Sequence, residues 1–231
     1  MQPLTANTRT LAGSRPLRAT TLCALYFAQG VPSGFVNIAL AAVLAERGAS
    51  PAQVGGILSL ATLPWTFKIF WGPIIDSYTL PVFGRRRPWI ILAQLMMAMT
   101  LLVSISANDL ADSATIGLIG MVMFIHNCFA SLQDVATDAM AIDVLDERER
   151  GRMNAFMWAS KLFGYSVGGA GLASVIAVSN IDVAMRIMVG ILLVIMLLPM
   201  LVREKGADKL FPWSGKRAGQ SMPMTFAISF S

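Results

Sequence analysis

Six stretches of predominantly apolar residues divide the chain, at 19–45, 52–76, 88–107, 114–143, 152–178 and 183–202. Each is about as long as an α-helix must be to cross a hydrocarbon core of about 30 Å. The pattern predicts an all-α, polytopic membrane protein of six transmembrane helices. A polar segment, 1–18, precedes the helices, and a basic stretch containing Pro and Gly, 203–231, follows them. The first apolar span is long and has no small-residue cleavage site near its end, so it reads as a retained helix and not a signal peptide. Three helices carry interruptions. In the first, QGVPSG at Gln29 to Gly34 places Pro32 mid-membrane and predicts a kink. In the second, Pro64 precedes Lys68. In the fifth, Gly164, Gly168, Gly169 and Gly171 have the small-xxx-small spacing that lets a neighbouring helix approach closely.

Composition agrees with the pattern: 55% of the residues are hydrophobic and only 13% charged, too few charges to cover a soluble surface. A net charge of +5 does not mark a nucleic-acid partner, because the basic residues sit in connections between apolar spans. Arg9, Arg15 and Arg18, then Arg85 to Arg87, then Arg148, Arg150 and Arg152, then Arg203 and Lys205 with the rest of the tail, all fall on one side. Only Arg47 and Arg186 fall on the other. Basic residues accumulate in cytoplasmic loops, so both termini are expected to be cytoplasmic; the membrane is expected to be a bacterial inner membrane. Cys23 and Cys128 lie inside apolar spans and read as packing residues, and His126 without a Cys/His cluster argues against zinc. No metal or cofactor is expected.

The charges inside the spans carry the functional signal, because ionisable groups at membrane depth are costly. At 1.5 Å per residue from the cytoplasmic end of each helix, Lys68, Asp134 and Lys161 lie about 12 to 14 Å deep and Gln29 about 16 Å. One layer of two cations, an acid and an amide suits a charge-balanced cavity, and Asp138 lies one turn from Asp134 on the same face. The plainer alternatives are that helix four has already crossed before Asp134, leaving its acids on a solvated extension, and that Lys68 snorkels to the headgroups.

The connection GPIIDSYTLPVFGRRRPW, with Gly72, Asp76, Gly84 and Arg85 to Arg87, resembles the loop signature of the major facilitator superfamily. Its longer Asp-to-Gly spacing resembles the branch of AmpG-type muropeptide permeases and acetyl-CoA transporters. FKIFWGPIIDSY, the QGVP of helix one and ASLQDVATDAMAIDVL point to the same branch. The resemblance implies the N-terminal six-helix bundle of a secondary transporter, with a C-terminal six-helix half or a second subunit as partner. It implies a small to mid-sized, anionic solute moved by alternating access. Gln29, Lys68, Lys161 and Asp134 would bind the solute, and Asp134 or Asp138 would take up a coupling proton. Asp76, Arg85, Arg86, Arg87 and Asp143 would form a cytoplasmic gate, the carboxylates latching the arginines in one conformation and releasing them in another. Two other classes stay open: a non-transporting assembly subunit, and an intramembrane serine hydrolase built on Ser33 and His126, whose depths match.

Overall fold

The computed structural model describes residues 10–78, 84–105 and 113–205. Arg9, the connection at 108–112, and the tail with Lys209, Lys216 and Arg217 lie outside the described residues. Six helical segments are long and apolar enough to cross a membrane: α1 (Arg15–Glu46), α2 (Pro51–Ser77), α3 (Arg87–Ser104), α4 (Gly117–Val144), α5 (Glu147–Val178) and α6 (Ile181–Leu201).

Local chemistry sets the starts. Ser50 and Gln53 form a reciprocal capping box ahead of Pro51, and the Asn180 side chain accepts the Val183 amide to open α6. Two helix starts move by a turn or more relative to the sequence pattern. The first helix begins at Arg15, and the arginine-rich turn before the fifth span is itself helical from Glu147, because Asp146 takes the extended N-cap conformation.

At Pro32, where the sequence predicts a kink, the helical assignment is unbroken. The helix runs through Pro32, and the irregularity falls immediately after it, as a π-helical stretch at Phe35–Leu40. A matching π-helical stretch, Val167–Gly171, lies in α5. The two irregular segments pack against each other, where α1 and α5 meet backbone to backbone.

α1 and α4 are the most deeply buried spans, while α2 and α5 leave most of their surface uncovered. Phe35, Leu40, Met97, Leu101, Met123, Met188 and Leu192 form the centre of the core. A second cluster, with Leu22, Leu25, Ile75, Ile90 and Met140, lies toward the end of the bundle that carries the arginines. That end is closed by more than apolar contact. Arg203 and Glu204, just beyond α6, accept the amides of Leu11 and Ala12, so residues 203–204 are docked against the segment before α1 instead of trailing from the bundle.

Candidate functional site

Between α2 and α5 opens a cavity of about 860 Å³ that runs into the bundle. Asp134 of α4 lies at its wall and is 4% exposed. Its two carboxylate oxygens are divided between two lysines: Oδ2 accepts from Lys68 Nζ at 3.2 Å and Oδ1 from Lys161 Nζ at 3.2 Å. Three residues placed at one depth by counting along separate helices therefore meet. Asp134 is not on a solvated extension, and Lys68, although its side chain is 47% exposed, turns to the carboxylate. A 3-10 turn at Lys68–Phe70, shortly after Pro64, interrupts the α-helical winding of the second span at this point.

Asp138 also lines the cavity and accepts a hydrogen bond from the Tyr26 hydroxyl of α1. The Tyr26 ring in turn lies 5.5 Å from Lys161 Nζ, with the rings of Trp65 at 4.8 Å and Trp158 at 5.2 Å. Trp65 is fixed by its indole N–H, which donates to Asn127 Oδ1 at 3.0 Å. These aromatic residues were missed from the sequence. The available signal was that Tyr26 sits three residues before Gln29 and Trp158 three before Lys161, one helical turn from polar residues at the chosen depth.

Gln29 is not brought to the cavity. It is 1% exposed, is absent from the cavity wall, and neither of its amide atoms has a partner among the described residues. Depth fixed its position along the axis, but its azimuth points it into the bundle. Ser33 and Asn37, further along α1, face the cavity instead.

At the arginine-rich end, the predicted gate residues separate into two sets. Arg86 bridges Asp76, Nη1 to Oδ1 at 2.6 Å, and Asp143, Nε to Oδ2 at 3.0 Å, while Arg85 Nη2 reaches the same Asp76 oxygen at 3.1 Å. Arg87 does not join them. Its side chain is fully buried, and Nε and Nη2 donate to the carbonyls of Pro199 and Met200 at 2.6 and 3.0 Å, capping the last turn of α6. The reciprocal cap is Glu204, also missed from the sequence, whose carboxylate accepts the backbone amides of Arg85, Arg86 and Arg87 at 3.1, 2.8 and 2.6 Å. An anion on the first amides of a helix is doubly favoured, by hydrogen bonding and by the helix dipole. A second link joins α1 to α5, where Arg15 and Arg18 both pair with Glu149.

With this geometry in place, comparison with known proteins identifies the chain. The family described as acetyl-coenzyme A transporter 1 matches residues 19–168, a stretch containing Lys68, Asp134, Lys161 and the Asp76–Arg86–Asp143 cluster. The chain belongs to this acetyl-coenzyme A transporter family. It is 34% identical over 153 residues to the anhydromuropeptide permease of Escherichia coli strain K12, covering 65% of this chain and 29% of the permease. It is 27% identical over 143 residues to putative transporter AmpG 4 of Rickettsia conorii, covering 60% of this chain and 32% of the relative. To putative transporter AmpG 3 of Rickettsia typhi it is 31% identical over 98 residues, covering 39% of this chain and 22% of the relative. The chain thus spans under a third of the length of these relatives.

The acetyl-coenzyme A transporter family and its permease relatives are transport proteins and not enzymes. Ser33 Oγ donates to the Gln29 carbonyl at 2.9 Å, whereas buried His126 contacts Thr100 and the Met97 carbonyl through Nδ1, so the two residues matched by depth have separate partners.

The Glu204 cap yields a direct expectation. Glu204→Gln keeps the side-chain shape but removes the charge from three amide contacts, and is expected to cost about 1 to 3 kcal/mol. It should lower the thermal midpoint of the purified protein and speed hydrogen exchange at the Arg85, Arg86 and Arg87 amides, while those of α4 stay protected.

Proposed function

We propose that this chain is the solute-binding six-helix unit of a secondary transporter that moves a small to mid-sized anionic solute by alternating access. The observation that carries the reading is the Lys68–Asp134–Lys161 bridge at the wall of a cavity large enough for such a solute. Buried charge of this kind is expensive to hold in a membrane and is retained where it contacts cargo or protons. The lysines bind the solute's anionic group as Asp134 gives up one of them. A proton taken up by Asp134 or Asp138 balances the added negative charge. Asp76, Arg85, Arg86 and Asp143 act as a latch that holds one conformation and parts in the other. The arginine distribution supports placing that latch and both termini in the cytoplasm, and a bacterial inner membrane is the setting the relatives suggest.

The cavity lies between α2 and α5, the two least buried spans, and a polar cleft on that side is unsuited to face lipid. A second six-helix unit, covalent or separate, therefore covers it. The family description and the name of the Escherichia coli permease supply two test solutes, acetyl-coenzyme A and an anhydromuropeptide. The purified chain in nanodiscs is expected to bind at least one of them, more tightly as pH falls, with that pH response flattened in Asp138→Asn. In proteoliposomes holding this chain by itself, no uptake above that of empty vesicles is expected. Uptake by the chain alone would overturn the two-unit reading, and equal binding by the parent and a Lys68→Ala/Lys161→Ala variant would overturn the assignment of the cavity.

A further inference from the structure

The point occupied by Lys161 Nζ has the features of a recognition site for an ammonium group. Three ring centroids, from Trp65, Trp158 and Tyr26, lie 4.8, 5.2 and 5.5 Å away, within the range at which a ring face attracts a cation. A carboxylate oxygen of Asp134 completes the enclosure at 3.2 Å. The walls come from four helices, and the rings are held by contacts that do not involve Lys161. Trp65 is anchored on Asn127, Tyr26 on Asp138, and Trp158 packs edge-on against Tyr26 with centroids 6.5 Å apart. An ion pair with Asp134 needs only the carboxylate, so this preformed aromatic box is more than the pair requires.

Resting on the reading of this cavity as the solute site, we infer that the box formed by Tyr26, Trp65, Trp158 and Asp134 is the subsite for an ammonium group carried by the solute, and that Lys161 occupies it until solute enters. The four charges around it are Lys68 and Lys161 against Asp134 and Asp138, with Arg150 further along the cavity wall. An entering ammonium replaces Lys161 against Asp134 and the rings. The released Lys161, on its unbranched stem, joins Lys68 in holding an anionic group of the same solute. Every charge keeps a partner through the exchange, which avoids the cost of an unpaired ion at depth. The solute class is one bearing both an ammonium, primary or methylated, and a carboxylate or phosphate.

The test uses the purified chain in nanodiscs, with choline as the cation probe and citrate as the anion probe, read by calorimetry. Lys161→Met empties the box while keeping an apolar stem, and is expected to bind choline about tenfold or more tightly than the parent. Adding Trp65→Leu should return affinity to the parent level. Lys161→Gln serves the same purpose should Lys161→Met not yield folded protein. Parent protein is expected to bind citrate, which probes the lysines alone. If folded Lys161→Met and Lys161→Gln bind choline no better than the parent, or if the gain survives Trp65→Leu, the ammonium subsite is overturned. Intact citrate binding in that event leaves the anionic-solute reading standing, whereas lost citrate binding alongside a gain for choline overturns the latter alone.

Discussion

Gly168→Val is expected to abolish recovery of folded protein from the membrane. A Cβ built on Gly168 would lie 1.8 Å from the Val31 carbonyl oxygen, far inside any allowed contact, and the obstacle is backbone that cannot rotate away. The same interface repeats the condition from both sides. A Cβ on Gly34 would lie 2.0 Å from the Tyr165 oxygen, on Gly30 2.1 Å from the Lys161 oxygen, and on Gly164 2.4 Å from the Phe27 oxygen. α1 and α5 therefore meet backbone to backbone over two turns, and one side chain must push the helices apart along the whole seam. Ordinary overpacking costs about 1 to 3 kcal/mol, and a clash against main chain lies at or beyond the top of that range. Within a membrane there is little hydrophobic drive to pull separated helices back together, so close packing is what holds them. Gly190→Ala in α6 is the control. Nothing lies within 4 Å of its Cβ position, and the helix-propensity gain of alanine is about 1 kcal/mol. Detergent-solubilised yield, size-exclusion profile and thermal midpoint should drop for Gly168→Val and hold or rise for Gly190→Ala.

Asp134→Ala should have the largest effect on function. It leaves Lys161 with a side chain 16% exposed and without its carboxylate, and removes the anion that also holds Lys68. Breaking a buried pair from one side costs about 3 to 5 kcal/mol. The half-exposed Lys68 can recover water, so about 3 kcal/mol is the expected loss. Solute binding should fall below detection, because the lysines no longer have a defined position and the cavity has lost its charge balance. The double variant Asp134→Ala/Lys161→Met separates the two consequences. With the stranded ammonium also gone, thermal stability should return most of the way to the parent value while solute binding stays absent. A double variant as unstable as Asp134→Ala would mean that the carboxylate stabilises the fold through something other than the pair.

Much of this site was legible along the chain. Apolar length placed six helices, and residue counting put Lys68, Asp134 and Lys161 at one depth because the rise per residue of a helix is fixed. The loop residues Asp76, Arg85, Arg86 and Asp143 could be grouped for the same reason, since all lie at helix ends on one side. Counting could not give the rotation of each helix about its axis. Gln29 shares the depth but points into the bundle, and Tyr26, one turn away, points to Lys161. Arg87 follows Arg86 directly, yet it opens the helix while Arg86 precedes it, and its side chain goes to the carbonyls of Pro199 and Met200. Glu204 looked like part of a loose basic tail, because nothing local distinguishes a carboxylate in solvent from one that caps a helix started more than a hundred residues earlier.

By itself, then, the sequence determined the axial order of this protein: which segments cross, which polar residues lie at which depth, and which short motifs assign the chain to its family. Those properties depend on residue spacing and on the cost of charge in hydrocarbon, both local. Only the tertiary structure decided who meets whom across the axis. The glycine seam brings α1 onto α5, which sets Tyr26 beside Trp158 and Lys161, and the indole of Trp65 tied to Asn127 fixes α2 against α4. Azimuth and neighbour are settled by packing among distant segments, and that packing turns one layer of charges into a charge-paired cleft.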